Sequence, residues 1–138
     1  MKRHPALQDL SREHHTALVL ARRIGACVDA ADASARTAMC AQVAAHFAAE
    51  MAPHFRIEET TLVPLLRADH DAAAARILAD HAMLRALASR IAGADTDALQ
   101  SFGTVLAEHV RFEERSLFPL LESLFAPGGQ AAPVFATS

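Results

Sequence analysis

The sequence predicts an all-α protein that folds as an antiparallel up-down-up-down four-helix bundle. Three observations support this prediction. Helix-favouring Ala, Leu, Arg and Glu dominate the chain, apolar residues recur at spacings of three and four, and short turn-forming stretches divide that pattern into four long segments. Alternation of apolar and polar residues, which is typical of strands, has little support. Four long helices with short connections form such a bundle most economically.

Apolar stripes and helix-ending residues set the predicted elements. The helices are expected over roughly residues 5–31, 34–68, 71–92 and 97–125. Pro53 should kink the second helix and Pro64 should distort its last turns. Gly93 stands where the third helix needs a C-terminal cap, and Thr96 and Asp97 can cap the fourth.

Composition limits the classes of function. The 138 residues, 52% of them hydrophobic, suit one domain over residues 1–125, with a flexible tail at 126–138. A net charge of -3 with scattered Lys and Arg argues against nucleic-acid binding, and no stretch has the length and character of a membrane span. Cys27 and Cys40 lack a CxxC pattern and indicate reduced core residues of a cytoplasmic protein. Eight histidines, in a chain without Trp or Tyr, require another explanation.

A repeated motif accounts for part of the histidine excess. Residues 54–66 read HFRIEETTLVPLL and residues 109–121 read HVRFEERSLFPLL, so both follow H-x-R-x-E-E-x-x-L-x-P-L-L. In each copy the histidine and the first glutamate are four residues apart and lie on one helix face. This spacing allows an imidazole and a carboxylate to bind one ion.

A weaker echo links the first and third helices. The stretches REHHTAL around His14 and LADHAMLRAL around His81 both place an acidic residue before a histidine and an apolar stripe after it. Each helix is therefore expected to direct one histidine inward. The apolar stripe favours His14 over His15, because His14 lies four residues after Leu10 and four before Leu18.

Burial of four imidazoles and two carboxylates favours a metal centre. Without partners, such groups would cost several kcal/mol each, whereas two cations bridged by the carboxylates would satisfy them. The absence of cysteine from the set argues against a thiolate zinc site. Nitrogen-rich ligation with some oxygen suits two iron ions, with manganese or zinc as chemically acceptable substitutes.

The combination resembles the hemerythrin-like, or HHE cation-binding, family over roughly residues 7–125. The resemblance implies a left-twisting four-helix bundle, a non-haem di-iron centre, and roles in binding or sensing dioxygen, nitric oxide or iron. The ligands implied position by position are His14, His54, Glu58, His81, His109 and Glu113, with His15 as the alternative in the first helix.

One position departs from the oxygen-carrying members of that family. They place a second histidine one turn before the third-helix ligand, where this chain has Ile77. Four histidines instead of five should leave one iron under-coordinated, completed by water or by a group such as Glu50, one turn before His54. An open position favours reactivity over passive carriage.

Other polar residues near the motif have simpler interpretations. Glu59 and Glu114 are expected to face solvent or to pair with Arg56 and Arg111, with contact to a metal ligand as the less favoured alternative. His46 lies two turns before His54 and cannot reach the same ion, so a structural role is favoured over gating or proton relay.

The leading functional hypothesis is a di-iron protein that binds dioxygen or a related diatomic ligand for storage or sensing. A sensing role would need a signalling partner protein to carry the output. The alternatives are a di-iron enzyme acting on nitric oxide or peroxide, an iron donor for iron-sulfur cluster repair, and a structural zinc bundle. The sequence leaves open whether the protein is an enzyme, and it leaves the oligomeric state unknown.

Overall fold

The computed structural model describes residues 3–125, and every regular element in that range is helical. The tail predicted at 126–138 lies outside the described residues. Helix α1 spans Gln8–Ala30 after a 3₁₀ turn at Pro5–Leu7. Helix α2 runs over 33–66, helix α3 spans Asp71–Ala92, and helix α4 runs over 98–124. The four predicted helices are confirmed, with ends within three residues of the predicted ones.

Helices α2 and α4 are composite, because α-helical segments alternate with wider π-helical turns. The segments of α2 are Ala33–His46, Phe47–Met51, Ala52–Ile57, Glu58–Leu62 and Val63–Leu66, and those of α4 are Ala98–Phe112, Glu113–Leu117 and Phe118–Leu124. The π turns begin at Phe47, Glu58 and Glu113, each six residues before a proline. A proline lacks an N–H and its ring presses on the carbonyl four residues earlier, and an added residue in the turn relieves both conflicts. The distortions expected at Pro53 and Pro64 take this form.

The helix ends combine confirmed and corrected predictions. Asp32 caps α2, since its carboxylate accepts hydrogen bonds from the N–H groups of Ser34 and Ala35 at 2.9 and 3.1 Å. Gly93 follows α3 as predicted, but its φ is -86°, and Ala94 takes the left-handed conformation with φ 66°. The Asp97 side chain does not cap α4.

The core has two apolar clusters. One contains Leu20, Val43, Leu84 and Phe102, and the other contains Leu10, Leu66, Ile77 and Leu117. Along α1, His14 separates Leu10 of the second cluster from Leu20 of the first, and along α3 His81 separates Ile77 from Leu84. A polar layer therefore interrupts the core. Between residues 3 and 125 no helix is both long enough and apolar enough to cross a membrane.

Candidate metal centre

The polar layer consists of six buried side chains drawn from all four helices. They are His14, His54, Glu58, His81, His109 and Glu113, and none is more than 5% exposed. They are also the only buried polar or charged residues between 3 and 125. The structure thus brings together all six residues that the sequence nominated as ligands.

The two less certain candidates lie elsewhere. His15 is exposed on α1, whereas the neighbouring His14 is buried. Glu50 is also exposed, although it lines a cavity that reaches the buried cluster. Neither residue belongs to the two groups of converging side chains described next.

Two overlapping groups of four residues have the geometry of metal sites. One group contains His14, His54, Glu58 and Glu113, and the other contains Glu58, His81, His109 and Glu113. Within each group, one potential ligand atom per residue lies within 4.8 Å of the others. Because Glu58 and Glu113 belong to both groups, two ions held there would share both carboxylates.

Each histidine directs its Nε2 atom at one of these shared carboxylates. His14 Nε2 lies 2.8 Å from Glu113 Oε1, and His81 Nε2 lies 2.9 Å from Glu58 Oε1. His109 Nε2 is 3.2 Å from Glu113 Oε1, and His54 Nε2 is 3.4 Å from Glu58 Oε2. The last two pairs are four residues apart, as the motif predicted.

A second carboxylate faces the other ring nitrogen of every histidine. The Nδ1 atoms of His14, His81, His109 and His54 lie 2.6, 2.7, 2.8 and 3.5 Å from oxygens of Glu114, Glu59, Asp80 and Glu13, respectively. An Nδ1–H that donates to an outer carboxylate leaves the Nε2 lone pair free to bind a metal. These four acids orient the imidazoles and raise their basicity.

The prediction for two of these acids was wrong. Glu59 contacts His81 and forms a bidentate ion pair with Arg85, at 2.8 and 2.9 Å, instead of pairing with Arg56. Glu114 similarly binds His14, Ser11 and Arg3 in place of Arg111. The partners lie elsewhere in the chain, since His81 and Arg85 belong to α3, Ser11 and His14 belong to α1, and Arg3 precedes the first helix.

The sequence contained a signal for all four outer acids. Glu13 and Asp80 directly precede the histidines of α1 and α3, while Glu59 and Glu114 directly follow the shared glutamates of α2 and α4. Each acid sits beside a central residue of its own helix and contacts a histidine of another helix. The adjacency was visible in the sequence, but the pairing between helices was not.

The protonation equilibria of the cluster are strongly perturbed. Burial by itself would lower the pKa of His109, but the charge of Glu113 and the hydrogen bond to Asp80 outweigh burial and raise that pKa to about 10. Burial likewise opposes ionisation of Glu113, yet the charge of His109 holds its pKa well below the usual range. The cluster therefore favours positive charge next to ionised carboxylates.

Three buried atoms of the cluster form no well-directed hydrogen bond, namely Glu58 Oε2, His109 Nε2 and Glu113 Oε2, although the first two lie close to His54 Nε2 and Glu113 Oε1, respectively. A buried polar atom without a partner costs about 1–3 kcal/mol, and a carboxylate costs more. All three belong to the groups of four, so cations bound there would satisfy them. The donor set, four imidazoles and two carboxylates, also fits borderline transition metals such as iron.

A small cavity of about 30 Å³ reaches the cluster from one side. Its inner wall includes His14, His54, His109 and Glu113, and its outer wall includes the exposed Thr16 and Glu50 together with Glu13 and His46. The cavity therefore opens to solvent between α1 and α2. This volume is sufficient for a molecule of the size of water, so the cavity can admit a diatomic ligand.

The Phe55 side chain, which also lines the cavity, covers His81. The Phe55 ring stacks on His81 with ring centroids 3.9 Å apart and an interplanar angle of 11°. The Arg85 guanidinium lies over the same Phe55 ring, 5.6 Å from its centroid. Access to the cluster is thus unequal, because His81 alone among the four histidines does not line the cavity.

Comparison with known proteins identifies one family. The family model described as hemerythrin HHE cation binding domain matches residues 6–130. No curated protein and no solved structure matches the chain.

Proposed function

The chain belongs to the hemerythrin HHE cation-binding domain family, and we propose that it holds two iron ions in a non-haem centre that binds dioxygen or a related diatomic ligand for storage or sensing. The observation that carries this proposal is the pair of four-residue groups that share Glu58 and Glu113 beside a cavity of diatomic size. Metal binding by a buried His and Glu cluster is the broader property on which it depends.

The proposed ligands divide between the two ions. His14 and His54 would serve the first ion, His81 and His109 the second, and Glu58 and Glu113 both. When bound, iron would supply reversible electron transfer to a diatomic ligand. The surrounding residues exclude bulk water and hold the imidazoles in place through the outer carboxylates.

The cavity makes the first ion the accessible one. Both histidines proposed for the first ion, His14 and His54, line it, whereas only His109 of the second pair does. With four histidines and Ile77 buried where a fifth would stand, the centre has fewer protein ligands than two six-coordinate ions need. A ligand arriving through the cavity would complete the coordination on the His14 and His54 side.

We also infer that neighbouring helices run antiparallel, at least for α1 and α4. Arg3 contacts Glu122, and Ser11 contacts Glu114. At the other end, Ile24 lies against Gly103. Residue numbers that rise along α1 and fall along α4 support this order, and the short connections of the chain extend it to an up-down-up-down bundle.

The proposal is tested by metal content and colour. Protein purified in air should contain about two iron ions per chain and absorb in the near-ultraviolet and visible range, and His54→Ala and His109→Ala should each contain less iron and absorb less than the wild type. His15→Ala is the matched control, because His15 is exposed beside the ligand His14 and its loss should change neither.

A second measurement addresses the diatomic ligand. The reduced, iron-loaded protein should change colour with dioxygen and recover its first spectrum under vacuum. Steady consumption of nitric oxide or peroxide would instead favour an enzyme, and loss of iron to an apo iron-sulfur protein would favour an iron donor. A colourless protein that contains only zinc would contradict the di-iron proposal.

A further inference from the structure

We propose that Glu13, His46 and Glu50, at the mouth of the cavity, form a capture site through which a divalent cation reaches the metal centre. The three residues lie between solvent and the buried cluster on the α1–α2 side. This inference rests on the proposed function, since it concerns how the same centre acquires its ions.

The burial of the centre makes such a route necessary. The six proposed ligands are at most 5% exposed, so an ion cannot bind them directly from solution. The cavity joins four of them, His14, His54, His109 and Glu113, to residues at the surface. A hydrated ion that enters there needs groups that replace its water molecules in steps.

The chemistry of the mouth suits a cation. Glu50 is exposed and the Glu13 side chain is 36% exposed, so both carboxylates remain accessible to solvent. No Lys or Arg is present among the residues that line the cavity. Burial lowers the pKa of the half-buried His46, which leaves a neutral imidazole with a lone pair near pH 7. Two carboxylates and an imidazole attract divalent cations and repel anions.

The inner end of the cavity draws the cation onward. His109 Nε2 and Glu113 Oε2 are buried and form no well-directed hydrogen bond, and both residues line the same cavity. Glu13 links the two ends, because its carboxylate oxygen lies 3.5 Å from Nδ1 of the proposed ligand His54. The path thus begins at exposed carboxylates and ends at unsatisfied buried ones.

The corresponding positions of the other motif copy lack these groups. Fifty-five residues after His46 and Glu50, the chain has Ser101 and Val105. The acidic mouth is therefore a property of one side of the molecule and does not follow from the repeated ligand motif.

The test is the rate at which metal-free, full-length protein takes up Co²⁺, followed by the visible absorption of the bound ion in stopped flow. Glu50→Gln should slow uptake about tenfold, which is the lower end of the gain in association rate that a cleft lined by charges of one sign provides. The final Co²⁺ content should be unchanged. Raised salt should slow the wild type more than Glu50→Gln, and Glu50→Asp should restore most of the rate.

Glu108→Gln is the matched control, because Glu108 is exposed on α4, lies outside the cavity and gives the same change in net charge. Equal rates for Glu50→Gln and Glu108→Gln would overturn the capture site while leaving the metal centre intact. A lower final Co²⁺ content in Glu50→Gln would also overturn it, since Glu50 would then be a ligand of the centre. Failure of the wild type to bind Co²⁺ or iron would contradict the proposed function itself.

Discussion

The two halves of the polar layer are built from the same motif, but the cavity reaches both histidines of the α1–α2 half and only one, His109, of the α3–α4 half. On the α1–α2 side, Ala17 follows the inward histidine by three residues, and a cavity opens beside it. On the α3–α4 side, the equivalent position is the fully buried Leu84, and Phe55 covers His81. The comparison shows that the motif determines which residues can bind an ion, while the residues around it determine what can reach that ion.

The two motif copies also differ in the helical turns that precede them. Pro53 is preceded by the π turn Phe47–Met51, which includes Glu50 at the cavity. In α4 the position that corresponds to Pro53 is Glu108, and no π turn precedes Glu108 within Ala98–Phe112. One added proline therefore separates the two copies of an otherwise conserved local structure.

The largest effect is expected from a substitution of Glu113, a residue that the two halves share. Glu113→Gln keeps the shape of the side chain but removes a carboxylate that belongs to both groups of four, so both ions should be lost. Elemental analysis should find close to no iron, whereas His54→Ala, which alters one group, should retain part of it. Retention of one full equivalent by Glu113→Gln would show that the two groups bind independently.

The next effect compares the outer carboxylates of the two halves. Asp80→Asn and Glu13→Gln remove equivalent acids, but Asp80 lies 2.8 Å from His109 Nδ1 and Glu13 lies 3.5 Å from His54 Nδ1. Loss of such a partner typically weakens metal affinity by about 10–100-fold. Competition with a chelator should place Asp80→Asn toward the upper end of this range and Glu13→Gln toward the lower end. The reverse order would mean that the distance between acid and imidazole does not govern affinity.

A third prediction concerns a substitution that gives the α1–α2 half the larger side chain found in the α3–α4 half. Ala17→Leu introduces the residue found at position 84 and should fill part of the cavity, at about 1–3 kcal/mol of unfolding free energy from overpacking. Dioxygen or nitric oxide should bind the loaded protein more slowly, while its metal content stays the same. Ala88→Leu is a control, because Ala88 is buried in the same apolar cluster but lies outside this cavity. Equal slowing in both variants would trace the effect to general destabilisation.

The smallest effect is expected from loss of the ion pair between Arg85 and Glu59 in the α3–α4 half. Arg85→Gln removes the bidentate ion pair with Glu59, but the arginine side chain is 41% exposed, so the loss of unfolding free energy should stay within about 1 kcal/mol. Thermal unfolding of the metal-free protein measures it. The absorption of the loaded protein should shift slightly, because Glu59 orients His81. A shift as large as that of Asp80→Asn would assign Arg85 a greater part in the centre.

The sequence predicted much of the centre because its ligands obey local rules. His54 with Glu58, and His109 with Glu113, are one helical turn apart, and this periodicity is independent of tertiary packing. The stripe that favoured His14 over His15 rests on the same periodicity, and burial of His14 agrees with it. The predicted ion pairs were wrong where a side chain contacts residues distant in the sequence, as Glu59 and Glu114 do.

The sequence by itself determined the four helices, the prolines that distort them and the six polar residues that face inward, because each depends on backbone geometry and on the spacing of residues along one helix. The tertiary structure alone decided which acid contacts which histidine, which histidine Phe55 covers, and where a cavity remains. Those features depend on distances between helices, which are set by how the side chains pack together. The same motif can therefore be recognised twice in the sequence, although the surroundings of its two copies differ.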